Sequence, residues 1–198
     1  MSETSTSQDP VSYYIDHTIY TGRPADTTGR LPKEIRTYDL LDSLGIAYAR
    51  ADHDTLPTME ACQEVGNLLG IEICKNLFLR NTQKTAFYLL ILPGSKKFKT
   101  AALSKQIGSA RLSFAEPEFM EQYLNITPGS VSVLGLMNDP ENKVRLLIDK
   151  DILKNHPYFG CHPCINTSSL KFRTEDLLNK ILPAIHHDYT MVDLPYAE

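Results

Sequence analysis

The sequence predicts an α/β fold of mixed α+β type: a single domain in which helices surround a central mixed, mostly antiparallel β-sheet or partial barrel. Three observations predict it. Helical and strand-like segments interleave along the chain, which calls for layers of helix against sheet. Several strand-like segments are joined by short turns, as antiparallel pairs are and doubly wound parallel sheets are not. The chain has 198 residues, 42% of them hydrophobic, which suits one sizeable core and leaves little room for two at about 150 residues per domain.

Residues 1–31 read as an N-terminal arm. "TGRPADTTGRLP" is rich in turn and breaker residues, and the cluster Tyr13, Tyr14, Ile15, Ile19 and Tyr20 is suited to docking. The domain proper is expected over 32–190, with 191–198 as a tail. Pro32 opens a helix that carries Ile35, Tyr38, Leu41 and Leu44 at helical spacing and stops at Gly45. "IAYARAD" follows as a strand. Thr58 caps a helix through Cys62, Val65 and Leu69 to Gly70. "ICKNLFLRN" and "TAFYLLILP" form two strands around "TQK", the second apolar on both faces and therefore central. A helix over Thr100 to Ile107, a strand near Ala110 to Phe114 and a helix from Glu116 to Leu124 come next. "VSVLGL", the turn "NDPEN" and "KVRLLID" are expected as another strand pair. "SLKF" is the last strand, and "TEDLLNKILPAI", capped by Thr174, the last helix.

Composition narrows the function. No apolar run approaches the roughly 18 residues of a membrane span. The start "MSETSTSQDP" lacks the basic and apolar regions of a secretory signal. A cytoplasmic protein is expected, with its four cysteines as reduced thiols. The net charge of −4 does not advertise nucleic-acid binding. Yet Lys96, Lys97, Lys99, Lys105 and Arg111 fall in one stretch without an acidic residue, either an ordinary solvated face or a patch for phosphate.

Two local features carry candidate chemistry. Cys161 and Cys164 in "FGCHPCINTSSLKF" are a redox dithiol, half a zinc site, or two incidental thiols. A redox thiol wants a helix N-terminus, and the next helix opens about ten residues on; zinc wants two further ligands at knuckle spacing, which Cys62 and Cys74 do not supply. The informative residues of the stretch are then His162, Pro163, Asn166 and Thr167. Lys75 shares a strand face with Ile73, Leu77 and Leu79. It either snorkels from an apolar row or serves as a fixed cation for an anion, with Asn76 beside it. A turn at Pro128–Gly129 presents backbone from Ser130 to Val133.

The order of "RADHDTLPTMEA", "CKNLFLRN", "TPGSVSVLGLMND", "VRLLIDKDI" and "HPCINTSSLKF" resembles the YbaK/ProX superfamily of aminoacyl-tRNA editing proteins over about residues 33–186. These are free-standing relatives of the prolyl-tRNA synthetase insertion domain, and the chain looks most like ProX/PrdX-type Ala-tRNA(Pro) deacylases. The resemblance implies a YbaK-like fold, with Lys75 as the essential cation near the tRNA terminus and Asn76 beside it in the pocket. It implies that Gly129, Ser130, Val131, Ser132 and Val133 meet the aminoacyl group, and that His162, Asn166 and Thr167 form the His-Pro-x-x-Asn-Thr segment. Val133 stands where the family has proline, a change that bears on pocket shape and amino-acid preference.

The implied activity is hydrolysis of the ester on mischarged tRNA(Pro), most of all Ala-tRNA(Pro), with no cofactor and no metal. Lys75 and His162 are its expected catalytic residues, with the Lys96 to Arg111 stretch on the tRNA backbone. The acceptor end of tRNA(Pro) is the expected partner and prolyl-tRNA synthetase a further one, with no membrane. An ester is already activated, so direct water attack needs only positioning, oxyanion stabilisation and exclusion of wrong amino acids. A Cys-tRNA(Pro) deacylase, a non-catalytic binding module and a Cys161/Cys164 oxidoreductase are the alternatives.

Overall fold

A computed structural model describes residues 12–196; residues 1–11 of the expected arm and 197–198 of the tail lie outside the described residues. In chain order the elements are β1 (Tyr20–Thr21), α1 (Pro32–Ser43), β2 (Ala49–Asp52), α2 (Met59–Leu69), β3 (Cys74–Asn81) and β4 (Phe87–Pro93). They continue with α3 (Thr100–Ile107), β5 (Leu112–Phe114), α4 (Pro117–Leu124), a 3-10 helix (Val133–Asn138), β6 (Val144–Asp149) and α5 (Lys150–Asn155). β7 (Tyr158–Cys161), β8 (Ser168–Arg173), α6 (Thr174–Asp176), a π-helical turn (Leu177–Ile181), α7 (Leu182–Ala184) and β9 (Tyr189–Val192) complete the chain.

The strands form two sheets, in the orders β1-β2-β8-β7 and β5-β3-β4-β6-β9. The first is antiparallel throughout; in the second, β4-β6 and β6-β9 are parallel. The mixed, mostly antiparallel expectation therefore holds, but the strands divide between two sheets rather than one central sheet, and among the described residues no barrel closes. The expected hairpin forms in full, β3 pairing β4 from Cys74↔Pro93 to Arg80↔Phe87. All seven β4 residues are buried because both faces of the strand are covered. Leu89 and Ile91 point toward the core between the sheets, with Phe78, Leu146, Phe159 and Phe172; Leu90 and Leu92 point to the outer face, with Leu79, Leu103, Val192 and Leu194.

Local chemistry fixes the helix ends that the sequence announced. Pro32 and Pro117 sit in the first turns of α1 and α4, and the Thr58 side chain accepts from the Ala61 amide at 3.2 Å. Residues of the expected arm are tied down: β1 pairs with β2, and Ile15 bridges to His53.

Three local expectations fail, the first being that "SLKF" is the last strand, since β9 follows it. "VSVLGL" is not a strand; its residues from Val133 onward wind into the 3-10 helix, which the Ser132 hydroxyl caps by accepting from the Leu134 amide at 3.2 Å. Val133 to Leu136 are buried on every side, so no period distinguished strand from helix. A Cβ on Gly135 would stand 2.5 Å from Ile126 Cδ1 and 3.1 Å from the Leu124 carbonyl, so a larger residue would displace both neighbours. β6 consequently finds its partners in β4 and β9 rather than in a hairpin mate. Thr174 begins the last helix without capping it: its hydroxyl donates to the His156 carbonyl.

Candidate functional site

A small pocket of about 60 Å³ lies where the two sheets meet under α2. α2 contributes Cys62 and Val65, the connection to β3 contributes Ile71 and Ile73, and the start of β3 contributes Cys74 and Asn76. From the facing sheet come Gly160, Cys161, Ser169 and Leu170, with His162 beyond the end of β7 and Leu56 at the rim. Gly160 leaves room there for Ile71, whose Cδ1 a Cβ would meet at 2.2 Å, so a larger residue would force that side chain to move.

The polar atoms in this apolar lining share one character. Asn76 Nδ2 donates to the Cys74 carbonyl at 3.4 Å, which leaves Oδ1 buried without a hydrogen-bond partner. Such an orphaned acceptor is expensive in a folded protein and calls for an explanation. His162 Nδ1 lies 2.7 Å from the Ser168 carbonyl. A carbonyl only accepts, so Nδ1 carries the proton; burial lowers the ring's pKa, and the neutral ring keeps Nε2 as a bare acceptor. Ser169 adds a hydroxyl, and His53, 6.0 Å from His162 between ring centroids, lies 2.9 Å behind it.

The cysteines here are thiols rather than nucleophiles. Burial pushes Cys74 up to about 12 and Cys164 to about 11, and raises Cys161 and Cys62 as well. No disulfide joins the four. Cys161 and Cys164 lie at a buried turn, Cys164 with a left-handed φ of 61°, and at Cys164 burial outweighs the opposing pull of Lys33 and Arg36, so the pair is not activated as a dithiol.

Of the residues singled out in the sequence, the pocket gathers Asn76, His162 and the thiols of Cys62, Cys74 and Cys161, and not Lys75. Successive strand residues point to opposite faces, so Asn76 enters the pocket while Lys75 leans to the other face of β3 and donates 2.7 Å to the Lys96 carbonyl. Gly129 packs near Asn166, a Cβ there standing 3.6 Å from Asn166 Nδ2; Thr167 lines a neighbouring groove with His53 and Arg30. Ser130, Ser132 and Val133 are buried and Val131 half-buried, the Ser132 hydroxyl accepting from the Leu134 amide.

Of the five basic candidates, Lys97, Lys99, Lys105 and Arg111 are exposed. Lys96 is 1% exposed, its ammonium 2.8 Å from both Asp149 and Asp151 and facing the Tyr196 ring. It is closed to a phosphate. Nothing local in the sequence marks Ser169 or Ile71, and Cys62 and Ile73 stand out there only as a helix-stripe thiol and a strand apolar residue, not as pocket wall. Only the β2-β8 pairing, which sets Ala51 opposite Ser169, brings His53 and Ser169 together.

Comparison with known proteins gives a consistent result. A family model described as an aminoacyl-tRNA editing domain matches residues 53–180. The prolyl-tRNA editing protein ProX of Acetoanaerobium sticklandii is 32% identical over 154 residues, covering 78% of this chain and 93% of that protein. A prolyl-tRNA synthetase associated domain-containing protein 1 of Bos taurus is 28% identical over 70% of this chain and 82% of its own. Among solved structures, a protein proposed as a trans-editing enzyme for prolyl tRNA synthetase superposes with TM-score 0.59 at 17% identity, over 84% of this chain and 99% of its own. A scaffold used for epitope grafting gives TM-score 0.62 at 16% identity. These two likenesses concern the fold.

Proposed function

We infer that this chain, which belongs to the aminoacyl-tRNA editing domain family, is a trans-editing deacylase of mischarged tRNA(Pro), and that the ester it removes is that of alanine. The observation that carries the reading is the orphaned Oδ1 of Asn76, on a small apolar pocket that His162, with its bare Nε2, also lines. Acceptors in an apolar setting suit the α-ammonium of an aminoacyl group, while Val65, Ile71, Ile73 and Leu170 suit a methyl side chain. Proline fits less well on both counts: its ring is larger, and its secondary ammonium has one N–H fewer. A second hydrolytic sieve is useful because missing methylenes are worth only about 1–3 kcal/mol to a synthetase.

In this reading Asn76 and His162 hold the amino-acid end, the Gly129 to Val133 turn and Asn166–Thr167 bound the approach, and Lys75 supplies charge to the ribose or phosphate. Lys97, Lys99, Lys105 and Arg111 meet the tRNA backbone. The raised thiol pKa values favour attack by water, aided by the neighbouring ribose hydroxyl, over a cysteine nucleophile. The editing unit is centred on 32–190; β1 of the arm joins its first sheet, and β9 carries its second sheet to Val192, past the expected start of the tail. The reading implies a cytoplasmic location and work alongside prolyl-tRNA synthetase; no helix among the described residues is long and apolar enough to cross a membrane. The test is incubation with tRNA(Pro) charged separately with alanine, cysteine and proline. Loss of the alanyl ester with retention of the prolyl ester supports the assignment, and equal loss or equal survival refutes it.

A further inference from the structure

His53 lies just past β2, 5% exposed, and both of its ring nitrogens are engaged. Nδ1 is 2.8 Å from the Asp54 carbonyl and Nε2 is 2.9 Å from Ser169 Oγ. The carbonyl only accepts, so Nδ1 bears the proton. Burial lowers the ring's pKa and keeps it neutral, which makes Nε2 an acceptor. The Ser169 hydroxyl must therefore donate to His53. A hydroxyl has one proton. With that proton directed at His53, Ser169 can offer only lone pairs to the pocket it lines.

We propose that His53 is a positioning residue for the deacylation: by taking the Ser169 proton it makes Ser169 Oγ a third acceptor for the substrate's ammonium, alongside Asn76 Oδ1 and His162 Nε2. This rests on the editing function inferred above. The backbone holds the pair in place, since the His53 amide donates to the Thr167 carbonyl at 3.0 Å and Ala51 sits opposite Ser169 in the β2-β8 ladder. Without His53 the hydroxyl rotates freely and can present its proton to the pocket, where it opposes an ammonium.

The test is a double-mutant cycle on kcat/KM for Ala-tRNA(Pro) with His53→Phe, Ser169→Ala and the double variant, and His53→Gln as a rescue. His53→Phe and Ser169→Ala should each lower kcat/KM about tenfold, the scale of one hydrogen bond to a charged group, and the double variant should be no worse than Ser169→Ala. His53→Gln, whose amide oxygen can accept from Ser169, should recover most of the loss. Multiplying losses, about a hundredfold in the double variant, or no recovery with His53→Gln, would reduce His53 to a structural residue. A wild-type protein that leaves Ala-tRNA(Pro) intact overturns the editing reading, and the role of His53 with it.

Discussion

Replacing Asn76 by leucine separates stability from function more cleanly than any other change at this site. The two side chains share a shape, both branching at Cγ, so the substitution removes polarity without opening a void. In the free protein Asn76 Oδ1 is buried without a partner, a burden of about 1–3 kcal/mol, while Nδ2 makes only a long 3.4 Å bond to the Cys74 carbonyl. The exchange should therefore leave the free protein more stable by about 1 kcal/mol, a rise in Tm of about 2–4 °C at this size. A hydrogen bond to a charged group is worth about 1.5–3 kcal/mol, so kcat/KM for Ala-tRNA(Pro) should fall by about 10- to 150-fold. Thermal unfolding followed by circular dichroism and loss of radiolabelled alanine from tRNA(Pro) read the two effects separately. Unchanged deacylation in Asn76→Leu would refute the role given to that acceptor, and a marked fall in Tm would refute the claim that Oδ1 is unpaired.

Three further outcomes follow from other parts of the molecule. Lys75→Ala should lower deacylation at low substrate and flatten its decline with added salt, since one cation near the tRNA is lost; identical salt profiles would count against that contact. His53 and His162 have folded pKa values below the ordinary 6.5, so below about pH 6.5 the unfolded chain binds protons that the native rings refuse. Stability should therefore fall as pH drops through that range, and activity should follow once Nε2 protonates. Asp52 and Asp54 beside His53 limit its shift, and a Tm and rate that stay flat to pH 5 would contradict it. Lys96→Met leaves Asp149 and Asp151 without their shared cation and should destabilise the protein by about 3–5 kcal/mol in chemical denaturation, whereas a phosphate-binding Lys96 would cost binding and little stability.

Much of this fold was legible because local signals agreed with the tertiary outcome. The β3-β4 hairpin shows in two apolar runs around a short turn, and α2 in Thr58 and Gly70 at its ends. Where the signals were silent, packing decided. The segment from Val133 to Leu136 is buried all round, so hydrophobicity carried no period. β9 is a short edge strand with Tyr189, Thr190 and Met191 exposed, and its parallel pairing with β6 joins residues over forty positions apart. The site divides the same way. His162 and Asn76 stood out as polar residues in motif-like surroundings, and alternation already separated Lys75 from Asn76, but which face of β3 the pocket takes is decided by α2, β7 and β8, which the sequence does not place against it. Ser169 and His53 become partners only when β2 and β8 pair.

The central claim is that the pocket under α2 selects a small aminoacyl ester on tRNA(Pro) and lets water cleave it. Its most direct measurement is the time course of ester loss from Ala-tRNA(Pro) and Pro-tRNA(Pro) with purified protein at neutral pH. The account predicts rapid loss of alanine and a prolyl ester as long-lived as in buffer; an alanyl ester that survives, or a prolyl ester lost at the same rate, contradicts it.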